Sequence, residues 1–372
     1  MGFAELPRSR RLALLLAVAG IGCSLVLLLA EVGVRVRALV KHGSVWGVSG
    51  LLTIDKTTRL RILEPGARVG AIEINSHGFR GPEIEPQKPA GTVRIAFLGA
   101  STTFCAEASS TATTWPALVV ERFRQLEPGA RFDYVNGGVP GYGVTDSLAN
   151  LRHRVARFAP DAIVIYHATN DLSGNTFDVA REQGAIRDRP DRERSWLSEY
   201  SLLVRLVELN WTIRSRKERV DEAQGKLRMD LPRLSAPFRH DLTALVAEAR
   251  SRAPLVAVVT FSTQYRRGQP RAAQLAAAET SLYYMPYMTI ETLLDGFDAY
   301  NDVIEEVAAG QGVLLVSGAD EIPGDPAHFV DSVHFTDAGN AAMASRVSRA
   351  FEASPVFREI VARARRATEP GA

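Results

Sequence analysis

Residues able to do chemistry fall on four separated segments: Ser101, Gly141, Asn170, and Asp331 with His334. Ser101 offers a hydroxyl and, with Thr102 and Thr103, backbone N–H groups leading into a helix. Gly141 offers a backbone N–H in a glycine-rich loop, Asn170 a neutral amide, and Asp331 a carboxylate three residues ahead of the His334 imidazole. Taken singly, each has a plainer reading. GAST at 99–102 could be a polar turn capping a helix, and DSVH at 331–334 an Asx turn with a surface histidine. The segments matter only if the fold brings them to one place.

The elements that would position them read as an alternating α/β chain. In VRIAFLGASTTFC, residues 95–98 form a short apolar run ending at Gly99, which predicts a buried strand with Ser101 at its C-terminal end. Ligands of open parallel sheets bind in the crevice outside those ends. Trp115-Pro116 starts a helix with Leu118, Val119, Phe123 and Leu126 on its apolar face. Residues 132–135 predict a second strand, emptying into NGGVPGYG, and residues 162–166 a third, emptying into HATND. Right-handed crossovers between such strands make the sheet parallel and put all three loops on one edge. Helices near 239–252 and 298–309 precede strands at 255–260 and 313–316, and Thr336 can N-cap a final helix. Charge-dense stretches at 172–240 bracket a helical run at 201–213, which predicts an inserted lid or partner surface.

In these blocks the sequence resembles the SGNH hydrolases, also called GDSL esterases and lipases: GAST at 99–102, NGGVPG at 136–141, ATND at 168–171 and DSVH at 331–334, in the family's order, with WPAL at 115–118 similar to its first helix. The resemblance spans about residues 92–352 without the insertion. It implies a three-layer flavodoxin-like α/β fold with a parallel sheet of about five strands, and ester hydrolysis through an acyl-serine. Ser101 would be the nucleophile, His334 the general base and Asp331 the carboxylate that holds the imidazole. The oxyanion hole would comprise the backbone N–H groups of Ser101 and Gly141 and the side-chain amide of Asn170. Asn136 would brace the Gly141 loop, His167 would be a wall residue, and Cys105 has no motif support as a nucleophile. Ala100 and Ala168 depart from the family pattern, which has Asp and Gly there. The absence of G-x-S-x-G argues against the sharp nucleophile elbow of α/β hydrolases. No metal or organic cofactor is required.

With 372 residues, 46% hydrophobic, and a net charge of +2, the chain can bury a large core and has no basic excess suited to nucleic acid. Its two cysteines cannot form a disulfide framework, and no phosphate loop or zinc motif occurs. Residues 12–30 are apolar apart from Cys23 and Ser24 and follow Arg8, Arg10 and Arg11, which predicts an uncleaved membrane anchor rather than a signal peptide. The short basic tail, residues 1–11, would stay cytoplasmic and leave the rest periplasmic or extracytoplasmic. The expected organisation is therefore an anchor at 12–34, a connecting region at 35–91 with His77 and Arg80 in a loop over the domain edge, a hydrolase domain at 92–354, and a tail at 355–372. Acyl or acetyl esters of envelope lipids or polysaccharides are the expected substrates. Acyl transfer to a sugar hydroxyl by the same triad, or a non-catalytic carbohydrate-binding or scaffold role, are the alternatives.

Overall fold

The structure, a computed structural model, describes residues 7–42, 50–184, 195, 197–208, 210–211, 227 and 229–368. The chain divides into two units, one of residues 1–50 with 189–216 and the other of residues 51–188 with 217–372.

In the first unit, residues 8–42 form one helix, α1 (Arg8–His42), with the apolar side chains of residues 12–29 largely exposed. It is long and apolar enough to cross a membrane. Of the helical run expected at 201–213, residues 202–208 and 210–211 are helical, and 209, 212 and 213 lie outside the described residues.

The second unit begins with two antiparallel hairpins, β1 (Leu52–Ile54) with β2 (Arg61–Leu63) and β3 (Arg68–Val69) with β4 (Ile72–Glu73). The connecting region is thus folded, and its Leu51, Leu63, Val69, Ile72 and Ile74 share a core cluster with Ala100, Phe104, Val139 and Tyr142 from two site loops. Alternating strand signals are absent because these strands are only two or three residues long.

The main sheet contains β5 (Thr92–Gly99), β6 (Arg131–Asn136), β7 (Ala162–Tyr166), β8 (Leu255–Val259) and β9 (Leu314–Val316). The strands lie in the order β6-β5-β7-β8-β9, every pair parallel. This is the flavodoxin-like order, five strands with the direction of winding reversing at β5. β5, β7 and β8 are buried along their whole length, as continuous Val/Ile/Leu runs require when helices cover both faces. Asn136 aligns with Phe97 and Tyr166 with Gly99, so the loops that follow leave from one edge.

Right-handed crossovers put α3 (Trp115–Leu126) on one face and α4 (Val144–Asn150) on the other. The expected insertion begins inside α5 (Thr169–Glu182), includes α6 (Leu197–Tyr200), and ends inside α7 (Leu231–Arg252). α7 starts eight residues earlier than its expected start because Asp230 caps it, accepting from the Arg233 N–H at 3.4 Å, and Pro232 occupies its first turn. Helices α8 (Arg271–Ala277), α9 (Glu279–Tyr284) and α10 (Ile290–Gln311) follow. α10 also starts earlier than expected, at a capping box between Thr289 and Thr292.

Thr336 caps α11 (Asp337–Ala353), as expected. Residues 355–366, expected as part of a tail, form α12 (Pro355–Arg366), capped by Ser354. Phe357, Ile360, Val361 and Ala364 recur at helical spacing and are buried, with the Phe357 ring 4.6 Å from that of Phe123. The basic residues between them mask this stripe when the segment is read by composition.

Candidate active site

Ser101 opens α2 (Ser101–Phe104), directly after the β5 exit. That exit is tight: a Cβ on Gly99 would lie 2.0 Å from Thr103 Oγ1 and 2.8 Å from the Tyr166 carbonyl. Ala100, which takes the place of the family's aspartate, is buried in the hairpin cluster.

The loop between β9 and α11 brings His334 to Ser101 across 233 positions of sequence, with Nε2 2.8 Å from Ser101 Oγ. His334 Nδ1 lies 3.0 and 2.9 Å from the two Asp331 oxygens. Asp331 Oδ1 also accepts the backbone N–H groups of Val333 and His334, each at 2.9 Å. The Asx turn and the carboxylate–imidazole pair are therefore the same structure: the turn fixes the carboxylate that orients the ring. Its neighbours hold the loop, as the Ser332 hydroxyl donates to the Ala277 carbonyl at 2.7 Å and Gln264 N–H to the Ser332 carbonyl at 2.9 Å.

Burial of His334 disfavours its charged form, but the hydrogen bond to Asp331 and the negative charges of Glu107 and Asp331 outweigh it, and the imidazole pKa is raised. Burial likewise opposes ionisation of Asp331, yet His334 and the two backbone N–H groups hold its pKa below the usual carboxylate range. A hydroxyl bonded to a neutral imidazole that a carboxylate orients can surrender its proton while attacking a carbonyl carbon.

The second loop carries Gly141, at φ +81°. Asn136 braces it, donating to the Thr103 carbonyl at 3.0 Å and accepting from Gly138 N–H at 3.0 Å. A Cβ on Gly138 would stand 2.6 Å from Phe104 N, so the loop lies flat against α2. Asn170, in the first turn of α5, donates its amide to the Tyr142 carbonyl at 2.8 Å and ties the third loop to the second.

Two contributors were not singled out in the sequence. Arg61 of β2 donates to the Pro140 carbonyl at 2.9 Å, and its own carbonyl accepts from the Tyr142 hydroxyl. No local signal marks Arg61, because only the tertiary fold sets the hairpin against the Gly141 loop. Asp171 accepts Val144 N–H at 2.9 Å through Oδ1, while its buried Oδ2 has no hydrogen-bond partner among the described residues. Burial pushes its pKa up to about 7. The Asn-Asp pair of ATND was the available signal, but the loop that Asp171 would hold was not readable from it.

His167 is buried, with Nε2 2.7 Å from Ser147 Oγ, and burial pushes its pKa down to about 3. Cys105 is also buried, its thiol pushed up to about 12 by burial, which leaves no thiolate for attack near neutral pH. Arg80 donates to the carbonyls of Phe104 and Cys105 from behind α2, whereas the His77 ring packs against Phe158 at 5.2 Å. Among the described residues, no group of three or more His, Cys, Asp or Glu side chains is arranged to hold a metal ion.

A doubly wound α/β domain with a serine, histidine and aspartate joined at its switch point is thus on hand. The chain belongs to the GDSL-like lipase/acylhydrolase family, whose sequence profile matches residues 97–342. It is a carboxylic ester hydrolase of that family. No curated protein shows significant sequence similarity to it. Among solved structures it is similar to Axe2, an acetylxylan esterase from Geobacillus stearothermophilus, at 18% identity and a TM-score of 0.41, over 70% of this chain and 92% of that one. It is also similar to the lipase/acylhydrolase from Enterococcus faecalis, at 16% identity and a TM-score of 0.40, over 73% and 96% of the respective chains.

Proposed function

We propose that the chain hydrolyses acyl or acetyl esters through an acyl-serine at Ser101. The observation that carries this reading is the hydrogen-bond chain from Ser101 Oγ through His334 to Asp331. Ser101 Oγ attacks the ester carbonyl as His334 Nε2 takes the hydroxyl proton, and the Asp331 carboxylate stabilises the imidazolium. The imidazolium then protonates the departing alkoxide. Water, deprotonated by His334, attacks the acyl-serine and releases the acid, returning the proton to Ser101 Oγ. The oxyanion of each tetrahedral intermediate is stabilised by Ser101 N–H, Gly141 N–H and the free amide hydrogen of Asn170. Loss of one such donor costs about 3 kcal/mol of transition-state stabilisation.

Residues 12–30 of α1 form a single membrane span in this reading, with the catalytic unit outside the cytoplasm. The substrates are then acyl or acetyl esters on envelope lipids or polysaccharides.

The test is hydrolysis of p-nitrophenyl esters of graded chain length by the full chain in detergent, beside Ser101→Ala and His334→Ala. Loss of roughly 10³-fold or more in kcat in both variants is expected, together with a burst of p-nitrophenol before steady turnover. Equal rates for parent and variants, each shown to be folded, would overturn the proposal.

A further inference from the structure

The polar end of α1 is tied to the other segment of its own unit. Glu31 follows directly on the apolar run of residues 12–30, and its carboxylate accepts the N–H groups of Leu202 at 3.0 Å and Leu203 at 2.8 Å and the Ser201 hydroxyl at 2.8 Å. Arg35, one turn further on, pairs with Glu31 at 2.5 Å and donates to the Tyr200 carbonyl at 2.8 Å. A glutamate about 170 positions away therefore serves as N-terminal cap for the helix that begins at Leu202, satisfying N–H groups that a helix start leaves without intrahelical partners.

Beyond this cap, Leu203, Leu206, Val207 and Trp211 fall at i, i+3, i+4 and i+8, the spacing of one helix face. Val207 is 57% and Trp211 67% exposed, and Leu206 also reaches solvent. A contiguous apolar face of this kind normally marks an interaction surface.

Where it begins identifies the partner. Residues 12–30 span about 28 Å at 1.5 Å per residue, matching a hydrocarbon core about 30 Å thick. The Glu31 cap, with its half-buried charge pair and backbone donors, then stands at the boundary between lipid and water. A helix fixed there by its first turn and bearing an apolar stripe with a tryptophan has lipid within reach of that stripe, and tryptophan favours this depth.

We infer that the helix beginning at Leu202 lies on the lipid surface as an interfacial helix, with Leu206, Val207 and Trp211 seated at the headgroup–acyl boundary. This rests on α1 being a membrane span. It adds a second membrane contact, distant in sequence from the anchor and coupled to it through Glu31.

The full chain, reconstituted in phosphatidylcholine/phosphatidylglycerol vesicles, tests this. The difference in emission between the parent and Trp211→Phe isolates Trp211. Lipids brominated near the top of the acyl chain should remove most of that difference signal, while aqueous iodide should leave it largely intact. Glu31→Ala should raise the iodide accessibility of Trp211. Retention in the vesicles at alkaline carbonate reports the anchor separately. Release by carbonate would overturn the span and this proposal with it. Retention with Trp211 open to iodide and untouched by bromolipid would overturn the interfacial helix alone. A Trp211 shielded from both quenchers would mean that protein covers the face, which also overturns it.

Discussion

The Arg61 guanidinium occupies the place where a side chain on Gly141 would stand: a Cβ there would lie 2.6 Å from Arg61 Nη2. The arginine comes from a hairpin ahead of the α/β domain, and the glycine from the loop after β6, so the hairpin is part of the scaffold that sets the proposed oxyanion donor.

Gly141→Ala must displace Arg61 and also adopt φ +81°, a conformation that costs an L residue about 1–2 kcal/mol. The expected result is a folded protein with kcat reduced roughly tenfold or more, since a shifted donor loses part of its transition-state stabilisation. Arg61→Ala, which frees the Pro140 carbonyl but leaves the glycine, should lower kcat less. Steady-state kinetics on p-nitrophenyl acetate, with circular dichroism as the check on folding, distinguishes the two.

His334 acts as a base only when neutral, and its pKa is raised above the ordinary imidazole value. The rate constant kcat/KM should therefore climb with pH through a midpoint above that value. Glu107 contributes one of the negative charges that raise it. Glu107→Gln should move the midpoint to lower pH without abolishing activity. An unchanged pH profile would show that the Glu107 charge does not reach the ring.

Asp171 binds its proton more tightly in the folded chain, its pKa rising from 3.8 to about 7. Its contribution to stability is fully present below pH 3.8 and is lost as pH rises through 7, because the unfolded carboxyl ionises more readily than the folded one. Asp171→Asn keeps an oxygen for Val144 N–H and cannot ionise. The variant should be the more stable protein at about pH 9, by an amount on the order of a few kcal/mol, and the advantage should fade in acid. Urea unfolding at the two extremes of pH measures the difference.

Asn340 of α11 accepts Trp115 N–H at 3.1 Å, capping α3 across 225 positions of sequence, and both residues are buried. Asn340→Ala strands that donor, which costs about 1–3 kcal/mol. The urea midpoint should fall accordingly, with the hydrolytic rate at low urea nearly unchanged. A midpoint equal to that of the parent would mean that another group, or water, satisfies Trp115.

Sequence alone determined the elements whose signals are local. The strands at β5, β6 and β7 were readable because buried parallel strands are short apolar runs punctuated by glycine or polar loops. Chain order and crossover handedness suffice to put Ser101, Gly141 and Asn170 on one edge. The pairing of Asp331 with His334 came from the family resemblance and not from their spacing, which by itself reads as an Asx turn with a surface histidine; the structure shows one turn holding both. Tertiary structure decided what depends on contacts between distant segments. The His334–Ser101 distance, the Arg61 support beneath Gly141, the burial that raises Asp171 and the Glu31 cap at Leu202 and Leu203 each join residues 79 to 233 positions apart or depend on how deeply the finished core excludes water. Hydrophobic periodicity encodes which face of an element turns inward, but not which residue from elsewhere meets it there.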